Sequence, residues 1–110
     1  MEPHGELTFY WIENILVVKA KGPFNDEGTR VAREAFQVNI LKGGFAIWYR
    51  LELWHQSVLG TPDAMAQLAE FYKWAIAQGC AATAIVIQNS LQASVIKTSL
   101  SDFAEVFDSE

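Results

Sequence analysis

The stretch from Thr61 to Gly79 carries both ends of a helix in its residue types. Threonine caps it, Pro62 sits in the first turn where a missing N–H does no harm, and Asp63 meets the positive end of the dipole. Met65, Leu68, Tyr72, Ala75 and Ile76 form its apolar stripe, and Gly79 stops it as a left-handed cap. Strand-like runs flank it. Residues 45–53 alternate, with Phe45, Ile47, Tyr49, Leu51 and Leu53 on one side and Ala46, Trp48, Arg50 and Glu52 on the other. Residues 84–88 are short and almost continuously apolar, the pattern of a buried central strand. A helix between two strands implies a right-handed crossover and parallel neighbours.

The remaining elements extend this unit. Residues 7–12 and 15–20 are aromatic and β-branched, and the Glu13-Asn14 pair between them predicts a hairpin that Gly22-Pro23 ends. Asn25 or Asp26 caps a helix whose stripe is Val31, Ala32, Ala35, Phe36 and Ile40, closed by Gly43-Gly44. Leu91, Val95, Ile96 and Leu100 mark a third helix over 91–100, and residues 103–107 read as a last short strand. The expected fold is α/β, in the order β-β-α-β-α-β-α-β. It has a mixed sheet of four or five strands, helices mainly on one face, and a single domain spanning 1–110.

Composition excludes several functions. With 110 residues, 51% of them hydrophobic, the chain can enclose a core without staples. Eight basic residues against thirteen acidic ones give a net charge of −5, and only Lys19 and Lys21 stand close together. Binding to nucleic acid or to an anionic membrane surface is therefore not expected. No apolar run approaches a bilayer span, the first six residues lack the features of a signal peptide, and the single cysteine, Cys80, suits a reducing compartment. The expected location is cytoplasmic.

The element order, the opening hairpin and the Gly22-Pro23-Phe24 turn resemble the SpoIIAA-like (STAS-type) family. That family includes anti-sigma-factor antagonists and cytoplasmic domains of anion transporters. The Thr61-Pro62 helix start, the Gly79-Cys80 stop and the Phe107-Asp108-Ser109-Glu110 end look like a bacterial branch of it. The resemblance implies a regulatory loop after the third strand, here Trp54-His55-Gln56-Ser57-Val58-Leu59-Gly60. Ser57 and Gly60 stand where the family carries a phosphorylatable serine and a glycine, without the family's aspartate and paired hydroxyl residue. It also implies a C-terminal amphipathic helix that Asp108-Ser109-Glu110 could start.

Catalytic patterns are absent. His4, His55 and Cys80 form no metal-ligand spacing, and Gly43-Gly44 lacks the surroundings of a phosphate cradle. His55 and Ser57 share a loop, but no carboxylate is placed to orient the imidazole, and the pair is not expected to be set for proton transfer. Cys80 reads as a buried packing thiol. The four Trp, seven Phe and three Tyr are more than a core of this size demands. Trp48 and a hairpin aromatic such as Trp11 are expected on the uncovered sheet face, Trp54 at the loop and Trp74 beside its helix stripe, forming an interface. The sequence thus suggests a non-catalytic binding or regulatory module, acting by protein contact as a homodimer or with a protein partner. Its alternatives are a carrier of a small apolar ligand in an aromatic-lined pocket and a Ser57-phosphorylated switch. The loop candidates are His55, Ser57, Gly60 and Thr61, and no cofactor is expected.

Overall fold

A computed structural model describes residues 4–108. Strands β1 (Glu6–Ile12) and β2 (Ile15–Lys21) form the hairpin, turning on Glu13 and Asn14 with Glu13 at φ 50°. Then follow α1 (Asp26–Gly43), β3 (Trp48–Trp54), α2 (Pro62–Ala77), β4 (Cys80–Ile87), α3 (Ser90–Ser99) and β5 (Glu105–Asp108). These make one five-stranded sheet in the order β1-β2-β3-β4-β5, antiparallel between β1 and β2 and parallel elsewhere. The α/β expectation holds, and the sheet has five strands.

The strand order has a direct consequence. From β2 to β5 each crossover steps one strand in the same direction, so right-handed connections place all three helices on one face. The helices pack there as a layer: α1 against β1 and α2, and α2 against β4 and α3. Among the described residues, no helix or strand covers the other face.

The helix caps follow the residue types. Asn25 Oδ1 accepts from Gly28 N at 2.7 Å, Thr61 Oγ1 from Ala64 N at 3.0 Å, and Asn89 Oδ1 from Gln92 N at 2.9 Å. Gly79 sits at φ 103°, and a β-carbon there would lie 2.0 Å from the Ala46 carbonyl oxygen, so only glycine fits.

Several boundaries and faces differ from expectation. The third strand starts at Trp48, because Phe45 lies in the loop and Ala46 and Ile47 in the bend before it, and β4 begins at Cys80 rather than at 84. Ala81 is the extra residue where the β3–β4 register shifts between Trp48 and Tyr49. Val31, Ile76 and Leu91, expected in helix stripes, are exposed, whereas Phe71 and Gln92 are buried. The largest correction concerns β3. Trp48, Arg50, Glu52 and Trp54 face the helices, while Tyr49, Leu51 and Leu53 face away. The charges of Arg50 and Glu52 suggest the opposite parity, and a buried charge pair makes that inference fail.

Candidate functional site

The bare face is assembled by register. Thr8, Tyr10 and Ile12 of β1 lie beside Lys19, Val17 and Ile15 of β2, which in turn lie beside Leu53, Leu51 and Tyr49 of β3. Next come Val86, Ala84 and Ala82 of β4, and then Phe107 and Glu105 of β5. Tyr10, Ile12, Ile15, Tyr49 and Phe107 are all exposed, and they share one side of a continuous sheet. A shallow depression at one end is lined by Ile15, Tyr49, Leu51, Ala82, Asp102 and Phe107 among others. Among the described residues of this face, charge is confined to two corners. Lys19 and Lys21, the latter paired in register with Glu6, lie at the C-terminal end of β2, while Asp102 and Glu105 lie diagonally across at the start of β5.

The covered face contains a polar cluster within the core. Arg50 and Glu52 are both almost fully buried, with Arg50 Nε 3.0 Å from Glu52 Oε2. Tyr72 donates its hydroxyl proton to Glu52 Oε2 at 2.6 Å, and Trp54 donates its indole N–H to Glu52 Oε1 at 2.9 Å. The guanidinium carbon lies 3.9 Å from the centre of the Tyr72 ring, with Phe71 and Phe36 at 5.6 and 5.7 Å. Neither Arg50 Nε nor Nη1 makes a hydrogen bond to the described residues, so the rings and the carboxylate together balance its charge. Burial, and then the neighbouring Glu52 charge, push the Tyr72 hydroxyl well above the usual tyrosine range.

The loop at the C-terminal ends of the parallel strands is a tied turn. Val58 N–H closes it on His55 O at 3.0 Å. Ser57 gives its hydroxyl proton to His55 Nδ1 at 2.8 Å and takes the Gly22 N–H at 3.2 Å, and Ser57 N–H reaches the same Nδ1 at 3.1 Å. With Nδ1 accepting, the neutral ring carries its proton on Nε2. The expectation that His55 and Ser57 are not set for proton transfer is therefore corrected in its geometry: residue i+2 of this turn brings the hydroxyl onto the ring. No carboxylate bonds the other ring nitrogen among the described residues, so the contact closes a turn and completes no relay. Gly60 bridges to Phe24, and Thr61 donates to Asp26 Oδ1 at 2.7 Å. Gln92, fully buried, holds the loop from below. Its Nε2 donates to His55 O at 2.8 Å and to Val58 O at 3.1 Å, while its Oε1 accepts from Gln88 N at 2.9 Å. The Asn89-x-x-Gln92 spacing of a capping box was the available signal for Gln92.

The structure does not gather the four tryptophans into an interface. Trp48 is 1% exposed, its indole N–H bonded to Gln78 O at 3.0 Å. Trp11 is half-buried against Trp48 and Phe45, on the helix side of the hairpin, and donates to Asn39 O at 3.1 Å. Trp54 is buried in the Glu52 cluster, and Trp74 packs on Phe71. Each fills the layer between helices and sheet, so the aromatic surplus is absorbed there. Cys80 is buried, its thiol 3.5 Å from Ala82 O. No group of three or more His, Cys, Asp or Glu side chains could hold a metal ion among the described residues. None of the described helices is long and apolar enough to cross a membrane. Ser109 and Glu110, the expected start of a further helix, lie outside the described residues.

The class defined by these features is an α/β domain with a one-sided helical layer. No protein-family model matches the chain, and no curated protein matches it either.

Proposed function

We propose that the chain is a non-catalytic binding module that works by protein contact, and that its bare sheet face is covered by a second copy of itself. One observation carries this reading: β3 turns its charges inward and presents Tyr49, Leu51 and Leu53 outward. Five strands about 4.8 Å apart and roughly 20 Å long offer on the order of 500 Å² of projected area. Two such faces reach about 1,000 Å², the size at which specific association begins. The charged corners favour self-pairing. A twofold axis lying in the interface between the other two corners exchanges them, bringing Lys19 and Lys21 of each copy over Asp102 and Glu105 of the other. Face-to-face sheets pack in this way, with their strands rotated by the twist.

The element order, with its antiparallel opening pair, supports the SpoIIAA-like (STAS-type) reading and its cytoplasmic setting, where such domains act by contact. Sedimentation equilibrium of the chain tests the proposal. A dimer is expected at micromolar concentration, lost in Leu51→Lys and kept in Ile76→Lys, whose side chain projects from α2 on the opposite side. A monomer at high micromolar concentration overturns it, as does a dimer that Leu51→Lys leaves intact.

A further inference from the structure

Between α1, α2 and the sheet lies a half-open pocket with about 50 Å³ of inner space. We infer that it is a binding site for a small uncharged, mainly apolar molecule, up to a single ring in size, that seats one edge in this inner space, leaves the rest in the open mouth, and directs one hydrogen-bond donor at Glu52 Oε1. The walls are mainly apolar, with Phe24, Phe36, Trp54, Met65, Leu68 and Phe71 among the residues that line them. Among the lining residues, Glu52 is the one buried charged group, and its oxygens are unequally used. Oε2 accepts from Tyr72 and faces Arg50, whereas among the described residues Oε1 accepts from Trp54 alone. A carboxylate oxygen has room for two donors, so Oε1 has one acceptor position left.

The balance of charge sets the ligand class. Arg50 already neutralises Glu52, so a charged guest would enter the core uncompensated and lose its hydration without return. An anion would also meet the carboxylate directly. Water is a poor occupant, because the apolar walls offer too few polar partners to hold it. A ring with one N–H or O–H group replaces that deficit with dispersion contacts on the aromatic walls and a single charge-assisted hydrogen bond. Arg33 of α1 and Gln67 of α2, both half-buried, line the cavity where it meets solvent. They mark the way in between the helices. The site is independent of the bare face, which lies on the other side of the sheet.

The probes are phenol, which carries a donor, and fluorobenzene, which has nearly the same shape and none. Each is titrated into the ¹⁵N-labelled chain while the indole N–H of Trp54 is followed, its resonance assigned by Trp54→Phe. Phenol is expected to shift that resonance saturably in the millimolar range, and fluorobenzene to bind at least fivefold more weakly. Two variants fill the cavity: Ala32→Leu, on a half-buried position of α1, and Ala64→Leu on α2. Either one that keeps a native spectrum should abolish both responses. No saturable shift with either probe overturns the inference, as does a response that survives in a folded filled variant. Equal affinity for the two probes overturns the assignment of the donor to Glu52.

Discussion

Tyr72 lies at two edges of one charge pair: its hydroxyl donates to Glu52 Oε2 at 2.6 Å, and its ring lies 3.9 Å from the guanidinium carbon of Arg50. One side chain on α2 thereby serves both members of an ion pair on β3. The arrangement resolves a cost that would otherwise count against this strand parity. Two charges taken from water lose several kcal/mol each, and only full partnering offsets that. Glu52 has its partners, while Arg50 is held by Coulomb attraction and by ring faces.

The first prediction tests that coupling. Arg50→Met leaves Glu52 as an uncompensated buried charge and should cost about 3–5 kcal/mol in urea denaturation. Adding Glu52→Gln removes the charge: the amide oxygen still accepts from Trp54, the amide NH2 donates to the Tyr72 hydroxyl, which can turn to accept, and more than half of the loss should be restored. If the double variant is less stable than Arg50→Met alone, the two residues are not coupled in this way.

A pH dependence follows from the raised Tyr72 hydroxyl. Below roughly pH 10, the ordinary tyrosine value, folded and unfolded chains both keep the proton and the contribution is fully present. Above it the unfolded chain releases the proton first, so stability falls by up to about 1.4 kcal/mol per pH unit until the folded hydroxyl titrates. Tyr72→Phe should start less stable at neutral pH and lose stability less steeply from pH 10 upward. Parallel slopes for the two proteins would assign the alkaline loss to other groups.

Gln92 gives a third prediction. Gln92→Leu preserves volume but leaves His55 O, Val58 O and Gln88 N without their side-chain partner. Unsatisfied groups of this kind cost about 1–3 kcal/mol each when they stay buried, less where water reaches them. A total loss of about 2–4 kcal/mol is expected on that basis, together with faster amide exchange at Val58. Unchanged exchange at Val58 would show that the backbone bond to His55 O holds the turn without the glutamine.

The fold was legible because its signals are local. Thr61-Pro62, Gly79 and the Glu13-Asn14 break each fix the chain by their own backbone chemistry, and the element order then determines a one-sided helical layer. The site was not legible, because polarity misreports the face of β3. A charged side chain is a poor guide to exposure when its partner lies two residues along the same strand, where both point the same way. Trp48 and Trp54, flanking Arg50 and Glu52 at the same parity, were the counter-signal, since large aromatics on both sides of a charge pair can shelter it. Tyr72, twenty residues on in sequence, completes that shelter only in three dimensions. The bare face is the counterpart of the same inversion.

Thr61 joins two helix starts, and its replacement separates local from tertiary effects. Its hydroxyl oxygen accepts from Ala64 N at 3.0 Å while its proton goes to Asp26 Oδ1 at 2.7 Å, so the cap of α2 also anchors the first turn of α1. Loss of an N-cap costs about 1 kcal/mol, and up to about 2 in the strongest cases. Thr61→Ala should fall within that range, whereas Thr61→Ser, which keeps both bonds, should stay close to the parent protein. Asp26→Asn keeps an acceptor for the Thr61 proton and removes the charge near the α1 dipole. Its smaller loss should shrink further in high salt, because both groups are exposed and screened. Chemical denaturation of the three variants at low and high salt checks the set. A Thr61→Ala protein as stable as the parent would mean that the start of α2 is held by Pro62 and packing alone.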